Sequence, residues 1–288
     1  MMKKLLLCVL VLAVGLGVRA ETSVWKVESD SSVLYLGGTF HLLRASDFPL
    51  PAEFDAAYAD SDSLIFETDL GRLQDPSVQQ LMMSKGSLDG ETLADVLSPE
   101  VYEKLSTSCV KVGVPIEALK GFKPSLVIMT IAMMELQKLG ISQEGVDMLF
   151  YSKGKQDGKE IGQLETVEEQ IDFICSMGEG NEDEFVSHSI RDMDNTKEII
   201  LPMLAAWKSG NRSEMEKTIT GEMKQDFPKI YKTLLVDRNN NWLPKIEVFF
   251  ESTEKEFVLV GAGHLVGDDG ILKKLEERGY KVEQLDSE

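Results

Sequence analysis

The sequence predicts an α/β protein with a central mixed sheet built from the N- and C-terminal segments and a large helical insertion between them. Three observations predict it. Short β-rich apolar runs gather near both ends of the chain, the stretch from about residue 90 to residue 251 carries helix caps and helical periodicity, and an apolar strand running into Gly-x-x-His-Leu occurs once near each end.

Taken in order, residues 1–20 read as a secretory signal peptide rather than as part of the fold. Lys3 and Lys4 form a positive start, Leu5 to Val18 is apolar, and Val18-Arg19-Ala20 is a small-x-small cleavage pattern. The apolar run is too short to span a bilayer comfortably, and Cys8 lies inside it rather than at its end, which disfavours a lipoprotein signal. The expectation is an exported chain, periplasmic or extracellular, without a stable membrane anchor after cleavage. Residues 21–288 are then expected to form one domain.

Trp25 to Val27 and Val33 to Phe40 are β-rich runs joined by the polar cluster Glu28-Ser29-Asp30-Ser31-Ser32, which suits a hairpin turn. Pro51 opens a short helix ending near Ala59, and Ser63-Leu64-Ile65-Phe66 is a brief strand running into Glu67. Within the insertion, Ser98-Pro99 is a cap followed by proline at the first helical position. Pro124 begins an apolar, methionine-rich helix, which reads as core. A short strand, Glu160 to Leu164, interrupts the helices, and Thr166-Val167-Glu168-Glu169 is a capping box for the helix that follows. Glu182-Asp183-Glu184 places acid in a first helical turn. From Glu256 the pattern returns to strand (Phe257 to Val260), helix (Ile271 to Arg278, with Gly279 as its stop) and strand (Tyr280 to Leu285).

The 288 residues are 43% hydrophobic and 27% charged, which suits a globular protein with a sizeable core. Thirty basic against 49 acidic residues give a net charge of −19. Nucleic acid is thereby excluded as a general partner, because phosphate neutralisation needs a basic surface. Past the signal only Cys109 and Cys175 remain, and an oxidising compartment makes a disulfide between them one expectation, two reduced core thiols the other.

The three histidines carry the strongest functional signal. His41 closes Val33-Leu34-Tyr35-Leu36-Gly37-Gly38-Thr39-Phe40-His41-Leu42, and His264 closes Val258-Leu259-Val260-Gly261-Ala262-Gly263-His264-Leu265. With 23 glycines in the chain, matching Gly38 and Gly261 three places before two of three histidines is a poor candidate for chance. An apolar strand buried on both faces ends at the carboxyl edge of its sheet, where open α/β sheets bind ligands. Glycine there permits a sharp turn or a close neighbour. Glu67 obeys the same rule, with Asp69 two residues on. If the strands are parallel neighbours, two imidazoles and one or two carboxylates meet at one edge, a set suited to zinc, manganese, cobalt or iron. His188 lacks the glycine and reads as an ordinary helix residue.

These residues resemble the TraB/PrgY/GumN family, whose animal relatives are the Tiki membrane proteases. The two Gly-x-x-His motifs and the strand-end Glu67 carry the resemblance, with Trp25-Lys26-Val27, Leu50-Pro51-Ala52-Glu53, the segment Gln163 to Gln170, the pair Arg238-Asn239 and the stretch Gly261 to Tyr280 in support. The resemblance implies an EreA/ChaN-like α/β fold and, for the Tiki branch, metal-dependent peptide cleavage with manganese or cobalt. The TraB and PrgY branch is associated with peptide pheromone shutdown, and GumN takes its name from an exopolysaccharide gene cluster.

The expected activity is that of a metal-dependent hydrolase acting on a peptide or other small substrate. His41, His264 and Glu67 would hold a divalent ion (manganese, cobalt or zinc), with Asp69 a further ligand or an orienter. Arg238 would stabilise a developing oxyanion and Asn239 orient substrate. Glu165 is either a general base or a first-turn acid serving the helix dipole. The alternatives are a binding protein that sequesters a peptide or a metal-bearing ligand without turnover, and a metal-free acid–base hydrolase using His and Glu.

Overall fold

The computed structural model describes residues 21–141 and 144–286; the signal peptide read from residues 1–20 lies outside them. Six strands form one mixed sheet: β1 (Glu21–Glu28), β2 (Val33–Thr39), β3 (Ser63–Phe66), β4 (Glu160–Gln163), β5 (Glu256–Gly261) and β6 (Lys281–Asp286). Their order across the sheet is β4-β3-β5-β2-β1-β6. The first four strands in that order are mutually parallel, while β1 runs antiparallel to both β2 and β6. The N- and C-terminal segments supply five strands, and the sixth, β4, comes from within the insertion, which is therefore part of the sheet as well as a helical layer over it.

The local reasons are simple. Ser29 turns the β1–β2 hairpin by accepting from the Ser32 amide at 3.0 Å. β3 and almost all of β2 and β5 are buried, so they read as continuous apolar runs, as strands of a parallel sheet covered on both faces do. Gly37 makes room on the sheet for the Phe257 ring, which would lie 2.7 Å from an added Cβ. Phe257 packs against Phe54 and Phe150, from the helices Ala52–Asp60 and Val146–Asp157, with ring centroids 6.4 and 5.7 Å away. Trp207 of the helix Thr196–Ser209 donates its indole N–H to the Gly38 carbonyl at 2.7 Å, fixing that helix to the end of β2.

The Thr166 capping box forms as expected: the hydroxyl accepts from the Glu169 amide at 3.1 Å and the Glu169 carboxylate accepts from the Thr166 amide at 2.8 Å. Gly279, at φ +91°, ends the helix Ile271–Glu277. The helix Pro124–Lys138 departs from expectation in one respect. Leu126, Val127, Ile128 and Ile131 are its buried face, whereas Met129, Met133 and Met134 are only half-buried beside it.

The apolar residues fall into a large cluster around the sheet, a second inside the insertion and a small third one. Cys109 belongs to the second and Cys175 to the third, and both are free thiols. Of the two expectations for these cysteines, the disulfide is not formed and the pair of buried thiols is what the structure has, with Cys175 Sγ 4.0 Å from Met82 Sδ. Among the described residues no helix is long and apolar enough to cross a membrane.

Candidate functional site

Each of the four parallel strands hands a polar side chain to the carboxyl edge of the sheet: β2 leads into His41, β3 into Glu67, β4 into Glu165, and β5 into the short helix Ala262–Leu265 that carries His264. The motif glycines act by close approach, since neither has a positive φ. A Cβ on Gly38 would stand 3.3 Å from Leu265 Cδ1 and 3.4 Å from Ala262, so its absence lets the His264 helix pack onto β2. A Cβ on Gly261 would occupy a point 3.2 Å from Glu67 Oε1, 3.5 Å from His41 Nε2 and 3.7 Å from His264 Cδ2. Two imidazoles and one carboxylate therefore border a single small space beside the Gly261 backbone. That space opens into a cavity of about 570 Å³ whose walls include Phe66, Met148, Phe173, Met203, Met223 and Leu235.

The partners of each group define its state. His41 Nδ1 lies 2.8 Å from Asp147 Oδ2, whose other oxygen accepts from Thr39 Oγ1 at 2.8 Å. The Asp147 carboxylate raises the His41 pKa to about 9, so at neutral pH the ring carries a proton on Nε2 that a bound cation would displace; the side chain is 63% exposed. His264 is the opposite case. It is 4% exposed, and burial lowers its pKa to about 3, which leaves it neutral. Its Nδ1 lies 2.7 Å from Asn239 Oδ1, an acceptor, so the proton sits on Nδ1 and the Nε2 lone pair faces the site. Arg238 Nη1 donates to that Nε2 at 3.0 Å.

Glu67 is buried at 6% exposure. Burial alone would raise its pKa, but Arg238, the two imidazoles and the Gly261 amide together hold it well below the usual carboxylate range. Its Oε1 accepts from Gly261 N at 2.7 Å and its Oε2 from Arg238 Nη2 at 2.6 Å. The same guanidinium forks onto Glu165 through Nε and Nη2, at 3.0 and 2.6 Å. Trp242 donates to Glu165 at 3.1 Å, and its ring lies 4.5 Å from the guanidinium carbon.

Several expectations are corrected by this geometry. Asp69 caps the turn after β3, accepting from the amides of Gly71 and Arg72 at 3.0 and 3.3 Å, and its carboxylate is spent on that turn, outside the cavity. Asn239 is fully buried behind His264, with Nδ2 donating to the carbonyls of His264 and Asp269 at 3.1 and 2.9 Å; it positions the histidine and does not reach a substrate. Glu165, read as a general base or a first-turn acid, is off the cavity wall and is bound by Arg238 and Trp242, with its pKa pushed up by burial. His41, Glu67, His264 and Arg238 do come together. Asp147, Trp242 and Phe173 belong to the site and were not expected. Asp147 sits in the first turn of its helix, a place acids favour for the dipole alone.

The donor set suits a divalent cation in kind. Both imidazoles have Nδ1 held by an oxygen and Nε2 turned inward, the arrangement that fixes tautomer and ring orientation in metal-ligating histidines. His264 Nε2 is 3.8 Å from Glu67 Oε1. As they stand, no three His, Cys, Asp or Glu side chains among the described residues are gathered tightly enough to hold an ion. The Arg238 guanidinium takes the His264 Nε2 lone pair and Glu67 Oε2, while the Gly261 amide donates to Glu67 Oε1.

The chain is similar to Metalloprotease TIKI1 of Danio rerio, with 23% identity across 90% of this chain and 62% of the relative. It thus spans about three-fifths of that protein's length. No solved structure matches. The family model covers residues 23–284, nearly all of the described chain and every residue of the site above, and by that match the protein belongs to the TraB/PrgY/gumN family.

Proposed function

We propose that the protein is an exported, metal-dependent hydrolase of peptides, with His41, Glu67 and His264 as the groups that hold a divalent ion. The observation that carries the reading is the single space beside Gly261 bordered by His41 Nε2, Glu67 Oε1 and the His264 ring, with both Nδ1 atoms already committed to oxygens. A distant metalloprotease relative makes the peptide bond the bond of choice.

A bound divalent ion would supply acidity to a water molecule and polarisation to a carbonyl. The chain's own residues prepare the rest. Asp147 and Asn239 fix the two imidazoles, so that neither ring has to be ordered when a ligand arrives. Glu67, ionised through its cationic neighbours and the Gly261 amide, brings the one negative charge directly into the space. Arg238 lines the cavity and is held by Glu165 and Glu67; with an ion on His264 its Nη1 would give up Nε2 and stand as a cation beside the carbonyl oxygen of a bound substrate. The apolar walls exclude water around that bond.

The test uses the mature protein dialysed against manganese, cobalt or zinc and assayed for bound metal and for peptide cleavage. Wild type is expected to retain one of these ions, His41→Ala and His264→Ala to lose it, and cleavage to stop with chelator. A wild type that binds none of the three ions overturns the proposal. Bound metal with peptide retained uncut would favour a sequestering protein, and cleavage that persists in chelator would favour metal-free acid–base hydrolysis.

A further inference from the structure

A second cavity, of about 550 Å³, lies next to the first, and the two share Phe173 and Leu234. Phe173 is more than a partition. Its ring lies 5.6 Å from the Arg238 guanidinium carbon, so one ring covers the cation of the site and also lines the neighbouring cavity. Leu234 is tied to the site as well, since its carbonyl accepts from Arg238 Nη1 at 3.1 Å. Beyond this partition the second cavity has an apolar floor that includes Phe185, Phe227 and Ile230, and its rim carries Glu179, Glu184 and Asp226 against one cation, Lys229. The site cavity differs: its polar end is made of His41, Glu67, Arg238 and His264, and the rest is mostly apolar.

We infer that the substrate is an extended peptide bound across both cavities. Apolar side chains beside the scissile bond fill the site cavity. The flanking segment crosses Phe173 and Leu234 and places an apolar residue on the second floor and a Lys or Arg side chain at the acidic rim. The inference rests on the peptide-hydrolase reading and adds the length and character of the peptide. A single pocket of this size is filled by a small ligand; two pockets sharing a wall next to the reacting groups favour a chain that continues from one into the other. The charge of the rim selects its sign, because a negative segment would face three carboxylates. Binding energy from that remote segment also positions the bond at the site.

The experiment measures equilibrium binding by fluorescence anisotropy, with the mature protein in chelator so that nothing is cut. The probes are labelled peptides with blocked ends: a short apolar peptide, the same peptide extended at either end by an apolar-plus-lysine segment, and the extended peptides with glutamate in place of lysine. The lysine-extended peptide is expected to bind about tenfold more tightly than the short one, with most of that gain absent for the glutamate form. Thr233→Trp, which brings an indole to the second cavity from an exposed position, is expected to lower the extended peptide to the affinity of the short one and to leave the short one unchanged. The pair Glu184→Gln and Asp226→Asn alters charge alone and is expected to abolish the preference for lysine over glutamate. Equal binding of short and extended peptides, or an advantage that survives Thr233→Trp, overturns the inference. Failure of the hydrolase reading looks different: the binding differences remain, and no peptide is cut with any metal.

Discussion

At Glu256 the requirements of charge and of burial oppose one another. The residue opens β5 at 5% exposure, its Oε2 has no hydrogen-bond partner among the described residues, and burial raises its pKa to about 7. The folded state therefore holds this proton more tightly than the unfolded chain. The stability it contributes is complete below the ordinary value of 4.5 and is lost as pH climbs toward about 7. Glu256→Gln, which cannot ionise, is expected to be more stable than wild type by about 1–3 kcal/mol above neutral pH and to lose that advantage in mild acid, as read by urea denaturation at the two conditions. Arg238 presents the reverse case, a buried cation with partners on every side. Arg238→Ala would leave Glu67 and Glu165 facing one another in the interior, and a loss of about 3–5 kcal/mol is expected in the same measurement. Arg238→Lys keeps the charge but loses the fork and falls between the two. His41, Glu67 and His264 were legible in the sequence because each follows an apolar strand, and strand ends are where a sheet presents polar groups. The service roles were not legible. Whether Asn239 faces a substrate or a histidine, and whether Glu165 is free or paired, is decided by contacts across long sequence separations that no local pattern encodes.

Among the elements, the helix Val146–Asp157 does the most to place His41. Its first amide donates to the Phe40 carbonyl at 3.0 Å, and its Asp147 holds the imidazole. Gly145 makes this possible: an added Cβ would fall on the carbonyls of Phe40 and His41, backbone atoms that cannot turn aside. Gly145→Ala is expected to push the helix start off the β2 turn and loosen the Asp147–His41 pairing, at a cost of about 1–3 kcal/mol in thermal or chemical denaturation. Two π-helical turns, Glu216–Thr220 and Lys232–Val236, brace the other histidine. A Cβ on Gly263 would meet Ile219 of the first at 3.2 Å and Leu235 of the second at 3.8 Å. Such wide turns recur at functional sites, yet ordinary helical periodicity in the sequence hides them. Five of the strands were read within a residue of their positions because apolar runs with turn residues at both ends have few alternatives; β1 begins four residues before the Trp25 to Val27 run read for it. That β4 leaves the insertion to join the sheet edge was not legible, since partner choice is tertiary.

For the molecule as a whole, the separation of Cys109 and Cys175 into two apolar clusters makes stability independent of redox conditions. The same melting temperature is expected with and without reductant, with Cys109 and Cys175 reacting after denaturation and neither before it. A difference in melting temperature would mean that the clusters are not arranged as described.

The strand order has a consequence in time. β5 lies between β3 and β2, yet its residues come after all but the last few elements of the chain. A polypeptide still being made can close the β1–β2 hairpin, but it cannot place β2 and β3 in one sheet until the strand destined for the gap between them has arrived, and His264 follows that strand directly. Long-range pairing of this kind is slow to form. The edge at which His41, Glu67 and His264 meet is thus assembled late, after nearly all of the polypeptide has emerged.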